Sequence, residues 1–302
     1  MKCIRNLLIL CLTIISCRGE TIEVPFRILD RETGKPVEFP HVVLKHASLG
    51  VIASQEGIAS FRIDSAHDPD TVKVSCIGYE TAVNVVRLPL MSGDTIRIFM
   101  EPKSIVLEEV QARPARKSKS LTLGKGGPGG MAVVPLIPQA RKGLCFAWKT
   151  GKPGKRTWLT ETGIYSETDS MPDIMDKNTT LHPVKRIRFR INIYDAAGSK
   201  VKDSWMHLPQ PEPVKSFIIE YDIDKVKDHA FSHVFSEPVL LPETALIEFE
   251  FLEEFNDGET FIYSNNLFGK SFFIRYVGRY ENAWVKARFA MPFFLKCLQE
   301  SF

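Results

Sequence analysis

The side chains that could do chemistry fall in three places. His229 and His233 stand four residues apart, beside Asp222, Asp224 and Asp228. On a helix that spacing sets both imidazoles on one face, where a carboxylate could complete a metal site. Ala230, Phe231 and Ser232 between them supply no general base, so a polar surface loop with incidental histidines is expected. Glu248 and Glu250, followed by Glu253, Glu254, Asp257 and Glu259, form the second group. Two carboxylates on one strand face could serve a glycosidase, but the solvent face of an antiparallel strand reads the same way, and a solvent face is expected. The third is the run from Gly124 to Gly130 around Lys125 and Pro128. A phosphate-binding loop needs a Lys-Ser/Thr pair at a helix start, whereas Met131, Pro135 and Pro138 follow here.

Other catalytic arrangements fail at their first requirement. A zinc peptidase needs His-x-x-Glu and a distant second His, and no His of this chain has Glu three residues on. The Gly-x-Ser-x-Gly elbow of serine hydrolases is absent. The sequence therefore predicts no catalytic residue, cofactor or metal. Aromatic faces are the remaining chemistry: Trp158, Trp148 and Trp205 are candidates for stacking on a sugar ring. Trp158, amid Lys155, Arg156, Thr157 and Thr160, is expected to be the most exposed, and Trp284, between Ala283 and Val285, to lie in the core.

The elements that must position these groups read almost entirely as strands. Short β-branched runs at 22–29, 41–45, 59–63, 71–75, 82–88 and 95–100 are punctuated by turn residues at Thr33-Gly34-Lys35-Pro36, Gln55-Glu56-Gly57 and Ser92-Gly93-Asp94. Further runs at 186–194, 216–221, 245–252, 271–277 and 284–290 alternate with a period of two, which sets one face in a core and the other in solvent. Helical signals are few: 224–235 allows one short helix as the alternative to a polar loop, and 293–302 reads as a helix or a closing strand.

The N-terminus sets the compartment. Lys2 and Arg5 precede a short apolar run from Leu7 to Ile15, the layout of a bacterial export signal. A spanning helix needs about 20 apolar residues, more than stand before Arg18, Gly19 and Glu20. Ile14-Ile15-Ser16-Cys17 fits a lipobox, so Cys17 is the expected lipidation site and would hold the chain on a membrane without a transmembrane helix. Of six cysteines, three belong to this segment; Cys76, Cys145 and Cys297 are widely spaced and odd in number, which fits neither a disulfide framework nor a zinc site.

Composition is that of a folded protein, 44% hydrophobic and 25% charged, long enough for two domains. The net charge of +3 is too small to imply nucleic acid. Residues 110–160 carry eleven Lys or Arg and no acid, a belt that would attract polyanions but that reads more simply as a linker and a lysine-guarded strand edge.

Residues 21–103 resemble the carboxypeptidase regulatory-like domain. The likeness is carried by Ile28-Leu29-Asp30 leading into Thr33-Gly34-Lys35-Pro36-Val37, then Phe39-Pro40-His41-Val42-Val43-Leu44, Glu56-Gly57 with Phe61, and Val74-Ser75-Cys76-Ile77-Gly78-Tyr79. It ends on Met100-Glu101-Pro102 and Leu107-Glu108-Glu109-Val110. The resemblance implies a transthyretin-like sandwich, an accessory module of bacterial envelope proteins in which Tyr79 is a core or corner residue. The stretch around Arg188-Phe189-Arg190-Ile191-Asn192 and Ala245-Leu246-Ile247-Glu248-Phe249 looks like the jelly-roll-like sandwich that often follows it.

The expected organisation is an export signal over 1–20 with its lipobox ending at Cys17, a regulatory-like sandwich over 21–103, a basic Gly/Pro-rich linker over 104–140 and a jelly-roll-like sandwich over 141–302. The expected role is noncatalytic binding or scaffolding in the cell envelope, as an outer-membrane lipoprotein facing the periplasm or the surface, with an envelope protein as partner. Glycan binding by the second sandwich is the alternative, and a hydrolase the third.

Overall fold

A computed structural model describes residues 21–64, 69–87, 94–103, 118–124, 132–136, 144–150, 155–165, 182–183, 186–222, 230–252, 259–265, 272–277, 283–287 and 293–300. The export signal with Cys17 and the Lys125–Gly130 part of the glycine run lie outside these residues. The protein is all-β, and its contacts divide it into two units at Ser104. No helix among the described residues is long and apolar enough to cross a membrane.

Unit 1 contains β1 (Thr21–Asp30), β2 (His41–Leu44), β3 (Leu49–Ile52), β4 (Ile58–Asp64), β5 (Asp70–Ser75), β6 (Ala82–Val86) and β7 (Ile96–Met100). Two sheets, ordered β4-β1-β7 and β3-β2-β5-β6, form a sandwich. Alternate residues of each strand, among them Phe26 and Ile28 of β1, Phe61 of β4, Val72 and Val74 of β5 and Met100 of β7, fill the core between them. β1 runs antiparallel to β4 and parallel to β7. β3 is an addition to the predicted strands; it is four residues long and contains Gly50, too little pattern to read. Gly34 and Gly78 adopt φ of 67° and 84°, a region that costs an L-residue Cβ dearly, so both turn glycines are required by the backbone.

Unit 2 contains β8 (Ser118–Gly124), β9 (Ala132–Leu136), β10 (Leu144–Lys149), β11 (Thr157–Tyr165), β12 (His182–Pro183), β13 (Arg186–Asp195), β14 (Lys200–Lys202) and β15 (Trp205–His207). It continues with β16 (Lys215–Asp222), β17 (Ala230–Leu240), β18 (Ala245–Phe251), β19 (Glu259–Asn265), β20 (Phe272–Tyr276), β21 (Ala283–Lys286) and β22 (Phe293–Glu300). An eight-stranded sheet, β14-β15-β21-β20-β10-β18-β13-β16, packs against a four-stranded one, β17-β11-β22-β8. Phe189, Ile191, Ile247 and Phe249 meet Leu159, Ile164, Phe231, Phe293 and Leu295 across that interface, and the Phe249 and Phe293 rings stand 5.1 Å apart. A short third sheet orders β12-β19-β9.

Two expectations change, and one of two open readings is formed. Within the stretch read as a linker, 118–124 and 132–136 are strands, β8 pairing with β22 and β9 with β19. Lysine and glycine content concealed the period of two in Leu121 and Leu123, which pack on the core. Residues 230–235, read as a polar loop or a short helix, belong to β17, because the Phe231 and Phe235 side chains serve a sheet core. The C-terminal stretch takes the strand of its two readings, with β22 held between β11 and β8.

The hairpin joining β14 and β15 is a two-residue turn with φ of 50° at Asp203 and 70° at Ser204. Two successive positive φ values define the turn that matches strand twist and favours Asn-Gly. The Ser204 carbonyl is satisfied by the Lys286 amide at 2.7 Å, so the turn is fixed in place. Ser204→Gly is expected to stabilise unit 2 by about 1 kcal/mol, read as a higher urea midpoint; an unchanged or lower midpoint would show that the left-handed conformation carries no strain here.

Candidate functional site

Among the described residues, a dense set of ionisable groups lies on the face of the eight-stranded sheet opposite the main core. In β18, odd residues face that core, while Leu246, Glu248 and Glu250 point the other way. Cross-strand register places Asn192 opposite Glu248, Arg190 opposite Glu250 and Arg188 opposite Glu220, and on the other side Ala147 opposite Glu248 and Cys145 opposite Glu250. The short Ala147 side chain leaves room for Arg275 of β20 to reach diagonally to Glu248.

Glu248 is 0% exposed and receives five donors. Arg275 Nε and Trp284 Nε1 each donate to Oε1 at 2.8 Å. Oε2 accepts from Arg275 Nη2 at 2.8 Å, the Tyr194 hydroxyl at 2.8 Å and Asn192 Nδ2 at 3.0 Å. Asn192 Oδ1 in turn accepts from the Ser216 hydroxyl at 2.7 Å, and the Arg275 guanidinium sits 5.4 Å from the centre of the Trp284 ring. Beside this node the buried Arg190 donates to Glu250 Oε2 at 3.0 Å, and the Cys145 thiol lies 3.8 Å from Glu250 Oε1. Tyr194, Met206, Leu208, Leu246, Phe273 and Trp284 form the apolar cluster around it.

Burial alone would push the Glu248 carboxyl up, but the Arg275 charge and its hydrogen bonds, with Asn192, hold it below the usual carboxylate range. Burial pushes the Tyr194 hydroxyl and the Cys145 thiol well above their ordinary values, so both stay protonated at neutral pH. A carboxylate whose two oxygens already take five donors has no lone pair to offer as a base, and a protonated buried thiol is no nucleophile. The arrangement is a saturated structural node. The expectation that Glu248 and Glu250 line a solvent face is therefore corrected: both are buried, Glu248 against Arg275 and Trp284 and Glu250 against Arg190. The legible signal was complementary alternation, Arg190-x-Asn192 in one strand against Glu248-x-Glu250 in the next.

Unit 1 has a smaller counterpart. Asp30 Oδ1 accepts from the amides of Glu32 at 2.9 Å and Thr33 at 2.7 Å, and Oδ2 accepts from the Tyr79 hydroxyl at 2.9 Å. The Thr33 amide holds the Asp30 carboxyl low, whereas burial and Asp30 together push the Tyr79 phenol up to about 12. The bond ties the end of β1 to the Gly78-Tyr79 turn, so Tyr79 is the corner residue its sequence context suggests, with its ring packed on the core. Tyr79→Phe is expected to lower stability by about 1 kcal/mol, seen as a lower urea midpoint at unchanged slope. The raised phenol pKa makes this contribution complete below the ordinary tyrosine range and lost as pH rises toward about 12. A Tyr79→Phe protein as stable as wild type at pH 7 would remove the latch from the account.

The tryptophans divide differently from expectation. Trp158 is 0% exposed, and the Arg156 guanidinium lies 5.4 Å from its ring centre. Trp148 packs on the main core, edge to face with Phe293 at 5.6 Å. Trp158 presents no face to a sugar: its basic neighbour Arg156 suggested exposure but lies against the ring, whereas Trp148 is only partly buried. Trp284 is buried as expected. Trp205 is half-buried beside the β14–β15 turn, as Trp148 is in β10.

His233 stands on β17 as part of a strand, its ring 4.9 Å from that of Phe235, and burial lowers its pKa. His229, Asp224 and Asp228 lie outside the described residues. Among the described residues no three His, Cys, Asp or Glu side chains converge to hold a metal ion.

The architecture defines an all-β protein of two sandwich units. Neither a protein-family model nor a curated protein matches the sequence. Among solved structures, a DUF3823 family protein from Parabacteroides merdae ATCC 43184 is similar at 9% identity and a TM-score of 0.22, the match covering 78% of this chain and 100% of that one.

Proposed function

We propose that this chain is a noncatalytic scaffold of the bacterial cell envelope, lipid-anchored at Cys17, which binds a protein partner through a sheet edge. In this reading unit 1 is a carboxypeptidase regulatory-like domain and unit 2 a jelly-roll-like sandwich. The observation that supports partner binding most is β6: it closes one edge of its sheet with Val83 58% and Val85 67% exposed, whereas the strongest ionisable cluster of unit 2 is consumed by its own internal partners. An open strand edge flanked by apolar side chains is a docking element for an extended segment. The test is a mild cross-linking pull-down of the tagged, membrane-expressed protein from its native cells, comparing wild type, Cys17→Ala and Val85→Lys. Loss of one specific partner with both variants is expected; an unchanged set of cross-linked proteins would overturn the edge reading.

Glycan binding is the second reading, favoured by the half-buried Trp205 at an exposed hairpin. Retention of envelope polysaccharide by the wild type and not by Trp205→Ala would establish it in place of the first.

A further inference from the structure

Edge strands expose unpaired backbone groups, and folded proteins guard them with charges, prolines, glycines or bulges. Nearly every sheet edge among the described residues follows that rule. β4 carries Arg62 and Asp64, β7 Arg97, β14 Lys200 and Lys202, β16 Lys215 and Glu220, and β8 Lys119. β9 contains Pro135, β12 is a His-Pro pair, and β17 has Pro238 with a break in register opposite Leu159 and Glu161. β3 lacks charge but is four residues long with Gly50. β6, Ala82-Val83-Asn84-Val85-Val86, is the exception: five residues with no charge, proline or glycine.

The sequence of β6 is also self-complementary. Laid antiparallel against a second copy about Asn84, Val83 stands opposite the partner's Val85, Ala82 opposite Val86 and Asn84 opposite itself. Arg87, exposed just beyond the strand, falls opposite Thr81, so no like charges meet. Val83 and Val85 lie on one face and carry the most exposed apolar surface of unit 1. Pairing edge to edge with a second copy would bring these valines into a continuous row.

We infer that β6 is a self-pairing edge and that the partner it takes is a second copy of this chain, joined about a two-fold axis at Asn84. This rests on the reading of β6 as a docking edge and names its occupant. The joined sheet runs β3-β2-β5-β6 and then the same four strands in reverse. Its outer edges are the short β3 strands, so the assembly closes at two copies rather than extending as a filament.

Cysteine cross-linking in the full, membrane-anchored chain tests the register. Asn84→Cys places two thiols face to face, so a covalent dimer is expected under mild oxidation. Val83→Cys or Val85→Cys alone leaves like thiols out of register by two residues, more than about 7 Å apart, beyond disulfide reach. Each should cross-link roughly tenfold less than Asn84→Cys, and coexpressing the two should restore the bond between them. Val85→Lys, which sets a cation in the valine row, is expected to shift the detergent-solubilised protein from dimer to monomer in sedimentation velocity. Equal cross-linking at all three positions, or a wild type that stays monomeric, overturns the inference. If the wild type is monomeric and Val85→Lys still abolishes capture of another protein, the docking reading stands and self-pairing alone fails; if Val85→Lys changes neither, both fail.

Discussion

Glu248→Ala is expected to cost unit 2 about 3–5 kcal/mol, enough to unfold an ordinary domain or bring it to the edge of unfolding. The large value comes from what is left behind. Arg275 would remain buried without its counter-charge, and the Tyr194, Asn192 and Trp284 donors would lose their acceptor in a place water does not reach. Arg275→Met in the same background should recover part of the loss, because removing both charges from an apolar site is far less costly than removing one. Urea unfolding of the two single variants and the double variant closes the cycle. A coupling near zero would mean that the node is not a unit. The sign with pH follows from the lowered carboxyl: the folded pKa lies below the unfolded one, so the contribution is present above the ordinary glutamate range and lost as pH falls through the folded value. Glu248→Gln should accordingly flatten the acid limb of the stability curve.

Trp158→Ala is expected to cost about 3–5 kcal/mol through lost burial and the cavity left behind. The side chain is fully enclosed between β17 and β22, opposite Leu240 and Leu298, so the structure around it can collapse only in part. The same substitution separates two accounts of this residue. A stacking platform would lose polysaccharide retention at unchanged stability, whereas a core residue loses thermal stability and, with it, the blue-shifted emission of a buried indole. The burial predicts the second outcome, and a Trp158→Ala protein with wild-type melting would contradict it.

Most of the strand map of unit 1 was legible because its sheets alternate cleanly. In β5 every second residue is buried, and β1 and β7 show the same period in Phe26 and Ile98. The Asp30–Tyr79 latch was half legible: Tyr79 read as a corner residue from its neighbouring glycine, but its partner lies 49 residues away and no local pattern names it. Unit 2 was harder because one of its sheets is covered on both faces. In β18 every residue is buried, so the glutamates of an alternating strand were read as solvent-facing when they face a second, polar interior. Period tells which residues share a face and not what covers it. Trp158 failed for a related reason, since Arg156 beside it in sequence lies over the ring. Strands β8 and β9 were hidden by composition, their apolar alternation diluted by lysine, glycine and proline.

The parallel pairing of β1 with β7 has a mechanical consequence. The chain enters unit 1 at Thr21 and leaves after Met100, and because the two strands run the same way, these points lie at opposite ends of their shared ladder. A force drawing them apart slides one strand along the other and loads the five pairs from Phe26↔Ile96 to Asp30↔Met100 together, rather than peeling them one by one. β4, on the other flank of β1, resists the same sliding through seven further pairs. A body tethered at one end and tugged at the other thus meets the load in shear, the geometry in which a small sheet gives way last.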